Sequence, residues 1–153
     1  MAVKTSAGSL LKVSAGIPAT FDGSGYAALT FTTVGEVTDL GEFGRVYALV
    51  THNPVASRIT QKFKGSYNEG TMALKLGLDT DDAGQILMKA ASASDASYSF
   101  SVTTQNGDVY YFPAKVMSWK VMVSSVDTIT QASCDLELTS SSSGVGIVEV
   151  LAA

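Results

Sequence analysis

Three stretches of this chain alternate apolar and polar residues strictly, and that period of two limits the fold more than any other feature. "GTMALKLGL" at 70–78 sets Met72, Leu74, Leu76 and Leu78 on one side, and "SYSFSV" at 97–102 does the same with Tyr98, Phe100 and Val102. "QASCDLELT" at 131–139 opposes Cys134, Leu136 and Leu138 to Asp135, Glu137 and Thr139. A period of two is the signature of a half-buried strand. A further strand, "RVYALVTHN" at 45–53, carries Val46, Ala48 and Val50 on one face and Tyr47 and Leu49 on the other, so both faces are apolar. Only "DTDDAGQILMKAAS" at 79–92 changes period. There Ala83, Ile86, Leu87 and Ala90 fall at helical spacing, Asp79 or Thr80 can cap, Asp81 and Asp82 suit the positive end of the dipole, and Lys89 suits the last turn. The pattern predicts one helix, packed on the sheet through Ile86, Leu87 and Ala90.

The connections are read from their turn formers. Residues 1–25, rich in Gly, Ser and Ala with one apolar patch at Leu10, Leu11 and Val13, read as a partly extended N-terminal arm ending at a flexible "FDGSG". Residues 53–70 read as a long loop or projecting hairpin. They hold three of the ten basic residues, Arg58, Lys62 and Lys64, beside Val55, Ile59 and Phe63, which have no evident core to join. An excursion of this length with exposed apolar side chains predicts a contact element. "QNGD" at 105–108 suits a type I′ hairpin, and Pro113 in the long strand after it predicts a bulge or an edge. The last segment, "GVGIVEVLAA" at 144–153, reads as a C-terminal arm or strand that must fold back or pair with a neighbouring subunit.

Chemistry is sparse. The 153 residues suit one domain, and charged residues at 16% fall below the usual ~25%. Ser, Thr, Gly and Ala fill the surface instead, as in neutral, closely approached protein contacts. A net charge of −4 opposes a general phosphate-binding surface. The single cysteine, Cys134, has no internal partner and sits on a leucine face, which suggests a core position and a cytoplasmic origin. No apolar run serves as a signal peptide or spans a bilayer, so no membrane partner is expected. His52, the only histidine, has no identifiable catalytic partner. "DTDDAG" lacks the spacing of a calcium loop, and "GSGYAA" at 23–28 follows no strand and opens no apparent helix, so it reads as a turn. The pairs Asp135/Glu137 and Glu36/Asp39 lack the aromatics of a sugar cleft, with Trp119 the only tryptophan. No enzyme activity, cofactor or metal is expected.

The stretch "FTTVGEVTDLGEFG" at 31–44, the strand ending in Thr51, and "GSYNEGTMALKL" at 65–76 together resemble the major tail tube protein of long-tailed (siphovirus-type) bacteriophages. The resemblance implies a mainly β chain, a β-sandwich or barrel with one flanking α-helix, in which hexameric rings pool strands into a central barrel. Rings stack into a hollow tube that conducts DNA to the host without binding it specifically. It further implies a place in the virion tail after synthesis in the host cytoplasm, with a tape measure protein and a tail terminator as partners. Under this resemblance Glu36, Asp135 and Glu137 are candidates for a negative lumen wall, and residues 53–70 for contacts between rings. Gly35, Gly41 and Gly44 would let 32–44 bend at the ring interface. The alternatives are a tube protein of a contractile tail or type VI secretion-like system, and a monomeric β-sandwich binding domain.

Overall fold

A computed structural model of the chain describes residues 2–152. Its strands are β1 (Leu10–Ser14), β2 (Thr32–Thr33), β3 (Val37–Asp39), β4 (Val46–His52), β5 (Gln61–Asn68), β6 (Thr71–Gly77), β7 (Tyr98–Thr103), β8 (Val109–Val116), β9 (Lys120–Met122), β10 (Gln131–Leu138) and β11 (Val148–Val150). Two helices join them, α1 (Gly23–Ala27) and α2 (Ala83–Ser92). The described helices are too short to cross a membrane.

Nine strands form one sheet in the order β2-β1-β7-β8-β10-β6-β3, with β11 beside β8 and β9 beside β10. The two outermost strands of that path, β2 and β3, are joined by only Val34, Gly35 and Glu36. The sheet therefore curls until its edges nearly meet. The link bonds to both edges: Val34 N–H donates to the Leu11 carbonyl at 2.9 Å, and the Glu36 carbonyl accepts from Gly77 N–H at 2.8 Å. Glu36 turns the corner in the left-handed region, with φ at 61°, a conformation that costs a non-glycine residue about 1 kcal/mol or more.

The alternating strands fill the interior of this curl. Met72, Leu74, Phe100, Phe112, Cys134 and Leu136 meet Leu11, Val13 and Val34 in one apolar cluster, closed by Met88 and Ala91 of α2. The helix is rotated from the face its apolar spacing predicts. Ile86 and Ala90 are exposed and Leu87 is half-buried, while Gly84, Gln85, Met88 and Ala91 point inward. Backbone proximity sets this phase, because a Cβ on Gly84 would collide with the backbone of Thr33 and Val34. The cap is Asp82 rather than Asp79 or Thr80; its carboxylate accepts the N–H groups of Gln85 and Gly35, both at 3.0 Å.

Residues 1–25 are not an arm throughout. β1 lies inside the sheet, with Leu11 and Val13 buried, and Asp22 caps the short α1 by accepting Gly25 N–H at 2.7 Å. That bond, with the Ser24 and Thr20 hydroxyls, holds the Asp22 carboxyl below its ordinary pKa. "GSGYAA" is thus mostly helix, not a turn. At the other end β11 folds back on β8, pairing Val148 with Tyr111 and Val150 with Val109. Met1 and Ala153, the end residues of the two expected arms, lie outside the described residues. The hairpin after β7 is not type I′: Gly107 alone carries a positive φ, 93°, and closes a longer turn through its N–H to the Thr104 carbonyl. Pro113 stands within a continuous β8, where the strand's neighbour changes from β11 to β10. Its carbonyl accepts from Thr139 N–H, so the missing N–H falls at that change of partner.

Tyr26 is fully buried, stacked on Tyr111 at 5.2 Å, and its hydroxyl has no hydrogen-bond partner among the described residues. Desolvation pushes its pKa up to about 12. An orphaned buried hydroxyl costs about 1–3 kcal/mol. Tyr26→Phe is therefore expected to stabilise the fold by about 1 kcal/mol in urea unfolding; a loss of that size would mean the hydroxyl is hydrated.

Candidate assembly interface

Residues 53–70 are only partly loop. Gln61–Asn68 is strand β5, which pairs with β4 from Val46↔Asn68 to His52↔Gln61 through a bulge near Tyr47 and Leu49. The two strands form a separate ribbon that shares no ladder with the large sheet. Both faces are open to solvent, with Tyr47, Leu49 and Tyr67 on one and Val46, Val50 and Phe63 on the other. Val55 and Ile59 cap its tip, 105% and 68% exposed. From Val46 to Asn68 there is no acidic residue, while Arg58, Lys62 and Lys64 are all exposed. A ribbon so apolar and basic has the composition of a contact surface.

Its root is fastened to the body. Arg45 Nε meets Glu69 Oε1 at 3.3 Å, its guanidinium lies 4.0 Å over the Tyr67 ring, and Nη1 donates to the Tyr47 hydroxyl. That last bond holds Arg45 above its ordinary pKa. Lys64 Nζ stands 4.7 Å over the Tyr47 ring. The stacked cations set the ribbon's direction without burying it.

At the opposite end of β6 and β10 lies a second exposed apolar region, which the sequence reading folded into one long strand. β8 continues past a bulge at 117–119 into β9, with Asp135 N–H donating to Ser118 Oγ and Met117 N–H to the Asp135 carbonyl. Beyond it Val121, Met122, Val123, Val126 and Ile129 are all at least half exposed. Apolar density without alternation was the available signal. β9-β10-β6-β3 is thus a four-stranded stretch of the large sheet, and neither β9 nor β3 has a partner on its outer side among the described residues.

Asp135 and Glu137 are exposed on one face of β10, as alternation predicts. That face is mixed rather than acidic. Lys115 stands opposite Glu137, and Lys75 and Lys120 both stand opposite Ser133. Glu137 also accepts from the Thr71 hydroxyl. Glu36 is not on a strand; it is exposed in the bend beside Gly77. The three carboxylates therefore do not form an unbroken negative wall in one copy.

No described residues bring three or more His, Cys, Asp or Glu side chains together as metal ligands. His52 is exposed at the end of β4. Cys134 is buried, and desolvation, with a smaller contribution from Asp135, pushes its thiol up to about 12. The stability gained by keeping that thiol protonated is full below pH 9, the ordinary thiol value, and is lost as pH rises toward 12. Iodoacetamide at pH 8 is expected to leave Cys134 unmodified until the chain is unfolded in urea, as mass spectrometry would read.

No protein-family model matches the sequence, and no curated protein matches it by sequence. The fold does have solved counterparts. A chain of the anti-feeding prophage (AFP) baseplate, in a 6-fold symmetrised cryo-EM structure, aligns with a TM-score of 0.72 over 98% of this chain and 97% of its own, at 7% identity. A chain from the tail of an empty gene transfer agent (GTA) particle, refined with C6 symmetry, aligns at 0.68 over 99% and 100%, at 10% identity. The SPP1 tail tube aligns at 0.59 over 94% of this chain and 77% of its own, at 14% identity. This mainly β, curled sheet matches the tail-tube-like fold of those chains.

Proposed function

We propose that this chain is the structural subunit of a tail tube: copies join into hexameric rings, and rings stack into a hollow conduit that passes DNA from capsid to host. The observation that carries this reading is the four-stranded stretch β9-β10-β6-β3, whose two outer strands are unpaired among the described residues. β3 of one copy set beside β9 of the next would continue the sheet and close it into a barrel, which removes both edges. The 6-fold and C6 symmetries of the counterpart assemblies support six copies per ring. On this reading the protein acts in a virion tail, needs no cofactor and catalyses nothing. A tape measure protein and a tail terminator are its expected companions, and the lumen passes DNA without specific binding. Candidates for its wall are Glu36, Asp135 and Glu137, with the lysines between them.

A second reading has its own support. The AFP chain and a chain of the PVC extracellular contractile injection system align at 0.72 and 0.67, above the SPP1 tail tube at 0.59. A chain from an extracellular contractile injection system thus shares the fold about as fully as the GTA tail chain at 0.68, which makes the tube of a contractile system the second reading. Negative-stain electron microscopy of the purified protein over a range of concentrations tests the tube itself. Hollow tubes or stacked rings are expected; a single species near 15.9 kDa at every concentration would reject both readings.

A further inference from the structure

Between α2 and β9 runs a groove of about 520 Å³, floored by Ile86, Ala90, Trp119 and Val121, with Asp79 and Lys89 also lining it. Ile86 is 54% exposed there, although the helix has already buried its other face in the core. Nothing else in the described chain covers it. We infer that this groove is the socket for the β4–β5 ribbon tip of the next copy along the tube. The inference rests on the stacking reading above and names the surface that stacking uses.

Three features of the chain select this occupant. The tip presents Val55 and Ile59, its most exposed aliphatic side chains, on a turn held by Ser57 N–H to the Pro54 carbonyl. Charge offers a partner: the ribbon is acid-free with Arg58, Lys62 and Lys64, and the groove lining carries the exposed carboxylate of Asp79, with Lys89 its one cation. Position completes the match. The ribbon is rooted where β6 begins, next to Thr71, and the groove opens where β6 ends, at Leu78, roughly 23 Å away along the strand. A knob at one end and a socket at the other make a head-to-tail contact that repeats from copy to copy without closing.

The test uses the whole chain. Ile59→Cys protein is mixed with Ile86→Cys protein, assembled and oxidised; the buried native thiol takes no part. A disulfide-linked dimer is expected from the mixture and from neither variant alone. Trp119, the single tryptophan, reports the same event without cross-linking: its emission should shift to the blue as tubes form. Ile86→Asp, at a site exposed in the monomer, should leave folding intact and raise the critical concentration for tube growth about tenfold or more. Tubes that form with no Ile59→Cys to Ile86→Cys link and no change in Trp119 emission would overturn the socket and leave the tube reading standing. A link from Leu151→Cys to Ile86→Cys in place of the ribbon would assign the groove to the terminal strand and overturn it likewise. Wild-type protein that never assembles would defeat the tube reading and the socket with it.

Discussion

Gln85→Met is expected to lower the unfolding free energy by roughly 3–5 kcal/mol. Gln85 is 2% exposed, a polar side chain in the middle of the helix's inward face. Its Nε2 donates to the Gly35 carbonyl at 3.0 Å and to the Gly77 carbonyl at 2.8 Å, and its Oε1 accepts from Asp79 N–H at 2.9 Å. Gly35 belongs to the link between the sheet's two edges and Gly77 ends β6, so one amide ties the closure of the curl to the helix that plugs it. Methionine fills the same space and leaves those groups unpartnered. At roughly 1–3 kcal/mol for each buried orphan, the loss is a large part of the 5–15 kcal/mol that holds a typical domain, and melting should fall by about 10 °C. Gln85→Glu separates hydrogen bonding from shape. Burial and two carbonyls would raise the pKa of the introduced carboxyl, so its folded form holds the proton more tightly than the unfolded one. Its penalty should grow as pH rises through the carboxyl range and shrink below about pH 4. A change under 1 kcal/mol in Gln85→Met would show that the ladders alone close the sheet.

The same residue marks where sequence reasoning stops. Strands β6 and β10 were legible because one side of each meets water, so burial writes itself as a period of two; β7 keeps the same alternation although Ser99 and Ser101 on its second side are also buried. α2 was legible as a helix but not in its phase. Apolar counting credits Ile86 and Ala90 and cannot see that Gly84 is needed for close approach or that Gln85 is buried by three backbone partners. β1 was lost because "LLKVS" is short and its surroundings are Gly- and Ser-rich, although Leu11 and Val13 are buried. Residues 32–44 read as one bent strand. In the fold they give a strand to each edge of the sheet, which only long-range pairing reveals. The interface was half legible. Val55, Ile59 and Phe63 announced themselves by lacking a core, whereas the exposed Val121, Met122 and Val123 were hidden because "VYYFPAKVMSWKVMVSS" at 109–125 reads as one long strand.

Excising residues 50–63 and joining Leu49 to Lys64 through a two-residue Asn-Gly turn should leave a folded protein that forms no tubes. The cut spares the root, since Arg45, Tyr47, Tyr67 and Glu69 remain, and Leu49 and Lys64 already face each other across the ribbon. It removes no buried residue, Pro54 alone being even half-buried. Surface changes of that kind typically move stability by no more than about 0.5 kcal/mol. Circular dichroism and cooperative melting should therefore match the wild type. Assembly is another matter. Val50, Val55, Ile59 and Phe63 go together, and covering each fully would contribute about 1.5–3 kcal/mol. Even at half that value the loss is several kcal/mol per contact, over about a thousandfold in association. Every copy in a ring would carry the same defect, so the deficits compound across linked contacts. Charge alone is the weaker part. Reversing Arg58, Lys62 and Lys64 to Glu should hinder assembly at low salt and recover in part as salt screens the repulsion, because exposed ion pairs contribute only ~0–1 kcal/mol each. If the excised protein still grows tubes of normal length, stacking runs through β9, Val121–Ile129 and the terminal strand instead. If it fails to fold, the ribbon has a part in the core that its exposure does not reveal.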